Sequence, residues 1–171
     1  MGLSTSWKNF EFNILFQGSG KCDFFIGGNG PHAFRNGQTG NILQTMVDDN
    51  RWIPSEISGD ISTENPNANW PRLTWGNNDN NNQKSTFWLR DGRYIRLKNI
   101  ELRYNVPTTF TRKFFVSNMQ IGFIGENLHT WSPFKLWDPE NATTDEKNSG
   151  VRSGNAYPIN RTYSCYIKLS F

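Results

Sequence analysis

Tyr163-Ser-Cys-Tyr-Ile-Lys-Leu-Ser-Phe171 alternates apolar and polar residues and stops on a phenylalanine. Strand side chains have period two. Tyr163, Cys165, Ile167, Leu169 and Phe171 therefore share one face, and Ser164, Tyr166, Lys168 and Ser170 the other. Read alone, the stretch suits two settings equally: the terminal strand of a soluble β protein, or the closing strand of an outer-membrane barrel with lipid on one side and a polar lumen on the other. The remainder of the chain decides between them.

Four further segments read as strands. The first covers about 7–17, with Phe10, Phe12, Ile14 and Phe16 on one face and Asn9, Glu11, Asn13 and Gln17 on the other. Gly18-Ser19-Gly20 reads as a tight turn into a second strand at about 21–27, which aligns Cys22, Phe24 and Ile26. The third, about 87–106, changes parity midway: Ile95 and Leu97 are apolar at odd positions, Ile100, Leu102, Tyr104 and Val106 at even ones. One extra residue near Lys98-Asn99 reconciles them, which predicts a β-bulge there. Pro107 stops the ladder. The fourth runs over about 115–131, with Met119, Ile121 and Phe123 aligned, and the terminal strand occupies about 157–171. Between them, 28–86 is loop-like and ends in the amide-rich Asn77–Gln83, with a short helix over about 41–49 on the spacing of Ile42, Leu43, Met46 and Val47. A second long loop covers 132–156.

Connection lengths then alternate, short at Gly18 and at 107–114, long at 28–86 and 132–156. Short turns on one side and long loops on the other is the outer-membrane barrel rule. On this reading all seven tryptophans (7, 52, 70, 75, 88, 131 and 137) fall at outer strand ends or in outer loops.

The composition agrees. The chain of 171 residues is 35% hydrophobic yet 15% aromatic, with 13 Phe. Disordered chains are poor in aromatics. A net charge of +3 without a basic stripe argues against a nucleic-acid binder. No stretch approaches the length of a transmembrane helix, which leaves barrel strands untouched. Residues 1–8 lack an apolar core and read as no signal peptide. His32 and His129 stand far apart without metal-ligand spacing. Cys22 and Cys165 each occupy an apolar strand position, as two small apolar residues or, in an oxidising compartment, a disulfide. No nucleophile elbow or zinc-hydrolase motif points to an enzyme.

Phe87-Trp-Leu-Arg-Asp-Gly-Arg-Tyr-Ile-Arg-Leu-Lys-Asn-Ile-Glu-Leu-Arg-Tyr-Asn-Val-Pro107 resembles a signature of SusC/RagA-type TonB-linked outer-membrane proteins, in which a "YLRLKN" core leads into an "L-x-Y-x-x-P" strand end. Val116–Leu128 is similar to that family's strand ending in "G-x-N-L", Asp138-Pro-Glu140 to its "DPE" loop, and Tyr157-Pro158, Arg161-Thr-Tyr163 and Phe171 to its closing strand. Trp7-Lys-Asn-Phe10, Phe16-Gln-Gly18 and Pro71-Arg-Leu73 agree, in order, over nearly the whole chain. One position departs: five residues before the final aromatic the family commonly has glycine, and here Tyr166 stands.

The resemblance implies an all-β fold: an antiparallel meander of about five strands, the C-terminal part of a 22-stranded transmembrane barrel of the plugged-transporter size class, with two extracellular loops. It implies that plug domain and signal peptide lie outside this chain, and that five strands with open edges neither insert nor transport alone. It places Phe10, Phe12, Ile14, Phe16, Phe24, Ile26, Ile100, Leu102, Tyr104, Met119, Ile121, Phe123 and the Tyr163, Cys165, Ile167, Leu169, Phe171 strand on lipid. Asn9, Glu11, Asn13, Glu101, Arg103, Gln120, Glu126 and Lys168 then face the lumen or plug. The expected partners are a SusD-like surface lipoprotein, the TonB complex through the missing N-terminal part, and outer-membrane lipid. The expected cargo is oligosaccharide or peptide, with no cofactor and no metal. Trp52, Trp70, Trp75 and Trp137 are candidates to stack on substrate or meet the lid protein. Against this, a loop tryptophan more often packs its own loop or sits in the interfacial girdle. Asp138 and Glu140 read better as a turn than as a Ca²⁺ or catalytic pair. The alternative is a soluble carbohydrate-binding β-sandwich, which five strands with so long a loop supply poorly.

Overall fold

The computed structural model describes residues 1–28, 30–34, 41–47, 51–76, 78–140, 150–154 and 156–171. It divides into two compact units. The first comprises 1–22, 92–135 and 158–171, the second 23–91 and 136–157.

The first unit is a five-stranded antiparallel sheet. Its strands are β1 (Gly2–Trp7), β2 (Phe10–Ser19), β5 (Tyr94–Val106), β6 (Asn118–Trp131) and β8 (Thr162–Ser170), in the order β1-β2-β5-β6-β8. β1 escapes the sequence reading because Gly2-Leu-Ser-Thr-Ser-Trp7 is short and mostly small and polar. It pairs with β2 through a two-residue turn at Lys8-Asn9, where Lys8 takes φ 54°, the left-handed conformation that tight hairpins demand. Gly18-Ser19-Gly20 does not reverse the chain, contrary to expectation. β2 runs on to pair Ser19 with Tyr94, and Gly18 lies so close to β5 that a Cβ would sit 2.5 Å from the Tyr94 carbonyl oxygen. Glycine is there for close backbone approach.

The bulge falls where the parity change puts it. Leu15 faces Asn99 and Phe16 faces Leu97, which leaves Lys98 as the extra residue. Across the other edge Leu97 faces His129 and Asn99 faces Glu126, with Asn127 at φ 52°. Pro107 ends β5. Residues 107–117 then form a compact connection of α3 (Thr108–Thr111) and a 3-10 turn over Arg112–Phe114.

The second unit is built from both long excursions. β3 (Asp23–Ile26) pairs antiparallel with β4 (Leu89–Asp91) and parallel with β7 (Val151–Arg152). The segment 21–27 is thus not a member of the large sheet. The segment 87–106 is not one strand either: a 3-10 turn at Thr86–Trp88 and β4 precede a break at Gly92-Arg93 before β5. α1 (Gln44–Val47) lies within the expected 41–49 helix, whose last two residues fall outside the described ones. α2 (Ser55–Ser58) and a 3-10 turn at Ile61–Thr63 were not foreseen. Phe24, Ile26, Met46, Trp70 and Trp88 form a buried core. Trp88 anchors it, edge-on to His32 at 4.9 Å and Phe87 at 4.9 Å, with its indole Nε1 donating to the Asn81 carbonyl at 2.6 Å. Phe24 and Ile26 are therefore core residues, stacked beneath Arg152 in the case of Phe24, and not part of an outward apolar face.

Candidate functional site

Cross-strand register sorts the large sheet into two unlike faces. One carries Leu3, Trp7, Phe10, Phe12, Ile14, Phe16, Ile95, Leu97, Ile100, Leu102, Tyr104, Val106, Met119, Ile121, Phe123, Trp131, Tyr163, Cys165, Ile167 and Leu169. It is not covered: Ile167 is 62% exposed, Ile95 58%, and Phe123 39%. A soluble monomer rarely shows a continuous apolar patch of this extent. Phe171 lies one residue past β8, also exposed.

The apolar face has aromatic ends. Trp7, Phe10 and Tyr104 stand at the short-turn end, with Phe10 and Tyr104 rings 4.6 Å apart. Trp131, Ile95 and Tyr163 lie toward the end where the long excursions leave. Trp7 corrects the expectation that every tryptophan lies at one end, because the unforeseen β1 reverses the direction in which it enters the sheet. From Tyr104 to Ile95 the strand spans roughly 30 Å. A barrel-like tilt of about 40° reduces that to roughly 23 Å, close to the apolar band of outer-membrane barrels at about 25 Å.

The opposite face is a polar network. The Arg103 guanidinium lies 3.1 Å from Glu11 Oε2 and 3.1 Å from Glu101 Oε1. Asn13 donates to Glu101 at 3.1 Å, Asn105 to Glu11 at 2.9 Å, Gln120 to Asn105 at 2.8 Å, and the Tyr166 hydroxyl to Glu101 at 3.4 Å. Arg103 and Glu11 are each about a third exposed, so each ion pair contributes no more than about 1 kcal/mol in water. Their role is to hold four strands' polar side chains in one layer. Tyr166, the position that departs from the family pattern, lies over Gly122 on β6; a Cβ at Gly122 would fall 2.2 Å from the ring. The glycine an aromatic side chain needs is supplied across the ladder, not on β8 itself. Glu126 and Lys168 also lie on this face, and Asn9 belongs to the hairpin turn.

Of the four tryptophans singled out, the second unit brings two together. Trp52 and Trp70 line one open cleft, with the Trp52 amide donating to the Trp70 carbonyl at 2.9 Å. Trp70 is only 3% exposed and packs on Trp88, so it forms the floor and has no free ring face. Trp75 is 69% exposed and lies beside Phe34 at 5.1 Å. Trp137 packs over Gly154, where a Cβ would meet its ring at 2.7 Å. Phe87, also in the cleft, was missed because its position reads as a strand start. The Asp138 carboxylate accepts from the Glu140 amide at 2.9 Å, a turn of the Asx kind. No disulfide joins Cys22 to Cys165.

An antiparallel sheet with one uncovered apolar face, aromatic ends and one ion-paired polar face has the pattern expected of an outer-membrane β-barrel segment. Comparison with known proteins narrows it. No protein-family model matches the chain. "TonB-dependent receptor P26" of Formosa agariphila is 28% identical over 170 residues, covering 97% of this chain and 16% of the receptor. "TonB-dependent receptor P3" of the same organism is 28% identical over 174 residues, covering 96% of this chain and 15% of the receptor. The RagAB peptide importer in its closed-closed state aligns over 99% of this chain and 16% of its own, with TM-score 0.66 and 20% identity. Its open-open state gives TM-score 0.60 at 21% identity. The chain is similar in sequence to these TonB-dependent receptors and in fold to the RagAB importer, and it spans about a sixth of the length of the proteins it matches.

Proposed function

We propose that this chain supplies the last wall strands and two outer loops of a 22-stranded TonB-dependent transporter in the outer membrane, importing oligosaccharides or peptides. The observation that carries this reading is the two-faced sheet: an apolar face of barrel height without cover, backed by the Glu11–Arg103–Glu101 network. Lipid takes the first face, Tyr163, Cys165, Ile167, Leu169 and Phe171 included; the lumen or plug takes the second. The edges at β1 and β8 pair with further strands, because unpaired backbone groups cost several kcal/mol each in hydrocarbon. The short connections at Lys8-Asn9 and 107–117 lie on the periplasmic side. The two long excursions are the transporter's extracellular loops, which meet substrate and a SusD-like lipoprotein. The two-component RagAB importer, similar in fold, supports such a partner. Energy comes through TonB, engaged by a part of the receptor outside this chain.

Uptake of labelled oligosaccharide and peptide mixtures by cells carrying the full-length receptor tests the function. Import should stop when TonB is deleted or when the receptor gene is removed. Import that persists without TonB would contradict the proposal.

A further inference from the structure

We infer that the cleft over Trp70 binds an acidic oligosaccharide, with a sugar ring against Trp52 and Phe87 and a carboxylate or sulfate on Arg72. This rests on the importer reading and goes beyond it by assigning a site and a charge class. The cleft is open and has a volume of about 480 Å³, within the range of roughly 300–1,000 Å³ typical of small-ligand sites. Trp52 is half-buried and Phe87 39% exposed, which leaves two flat apolar surfaces at its rim.

The polar groups of the lining are one-sided. Asn78 is used internally, accepting from the Asn81 amide at 3.0 Å and donating to Thr74 at 3.4 Å. Asn65 has its oxygen occupied by the Asn67 amide at 2.9 Å, and Asn81 has its oxygen occupied by Asn80 at 3.4 Å. Each keeps its side-chain NH₂ as a donor. Arg72 is exposed and lines the cleft, and among the described residues no Asp or Glu lines it. What remains for a ligand is two aromatic surfaces, amide donors and one guanidinium. That set suits an acceptor-rich anion, since guanidinium pairs bidentately with carboxylate and sulfate-like groups. A peptide brings a cationic terminus, and among the described residues no carboxylate lines the cleft to pair with it. A neutral glycan would leave the guanidinium unanswered.

Titration calorimetry on the full-length receptor in detergent, with tetragalacturonate, a chondroitin sulfate tetrasaccharide, cellotetraose and tetra-alanine, tests the inference. At least one acidic tetrasaccharide should bind, at least about tenfold more tightly than cellotetraose. Arg72→Gln should abolish that preference, Arg72→Lys should restore part of it, and Trp52→Ala should weaken acidic ligands by about tenfold. Affinity should also fall as salt is raised from 50 to 500 mM. Absence of binding by both acidic probes, equal binding of cellotetraose, indifference to Arg72→Gln, or binding of tetra-alanine that depends on Arg72 would each overturn it. The two readings fail separately. TonB-dependent uptake with calorimetry indifferent to Arg72→Gln sinks the cleft alone. Arg72-dependent binding with uptake independent of TonB sinks the importer reading alone.

Discussion

The two units obey opposite rules of burial. In the second, a cluster of large side chains is inside: Phe24, Ile26, Met46, Trp70 and Trp88 are nearly inaccessible. In the first, the large apolar side chains of one sheet face are left uncovered, and ion pairs and hydrogen bonds organise the other face. A water-soluble fold has no use for the second arrangement, because exposing that much apolar area forfeits about 25 cal/mol for each Å² left in water. The contrast within one chain teaches where the solvent changes. On the proposed function, one unit is built for water and the other for a boundary between hydrocarbon and a polar interior.

Substitutions can break that contrast from either side. Trp88→Ala should have the largest effect, about 3–5 kcal/mol of local stability lost from the second unit. Limited proteolysis and hydrogen exchange of residues 23–91 would register it, while the sheet stays protected. Ile121→Arg, on the uncovered face, should cost about 2–4 kcal/mol in folding from denaturant into bilayers. Ser164→Arg, exposed on the polar face of β8 and outside its hydrogen-bond network, should stay within about 0.5 kcal/mol. Equal costs for the pair would mean that the faces do not differ in solvent.

Gly122→Ala should cost about 1–3 kcal/mol, because the Tyr166 ring must shift off the position the new methyl takes. Adding Tyr166→Ser should recover part of the loss in a double-mutant cycle. The smallest effect is a pH response confined to the second unit. The amide and side chain of Ser62 hold the Asp60 carboxyl below its ordinary range, and Ser55 does the same for Glu64. Depressed carboxyl pKa values stabilise the fold above the unfolded values, near 3.8 and 4.5, and lose that contribution as pH falls through the folded ones. Hydrogen-exchange protection of the Ser55 and Ser62 amides should therefore fall in acid below about pH 4, with the β5–β6 ladder unchanged.

The contrast also explains which parts of the chain could be read from residues alone. Period two betrays a strand whose faces meet different solvents, so β2, β5, β6 and β8 are visible, and the parity change at Lys98 reveals the bulge. β1 is invisible because Leu3, Thr5 and Trp7 alternate with serines too faintly. β3 misleads because Phe24 and Ile26 alternate like a wall strand while serving a core. That unit is held by contacts with no local period: Asx turns at Asn65 and Asp138, an Asn78 side chain that accepts from the Asn81 amide, and a parallel pairing of Phe25 with Val151 far along the chain. Trp52 could be suspected as an aromatic in a polar loop. Arg72 and Phe87 could not, since only folding brings them to one cleft.

The central claim is that one face of β8 meets lipid and the other does not. Single cysteines placed at 163–169 in an otherwise cysteine-free full-length receptor, Cys22→Ser and Cys165→Ser included, in native outer membranes, would be reacted with a membrane-impermeant maleimide. The account predicts alternation: labelling at 164, 166 and 168, and protection at 163, 165, 167 and 169. Uniform labelling, or alternation in the opposite phase, would contradict it.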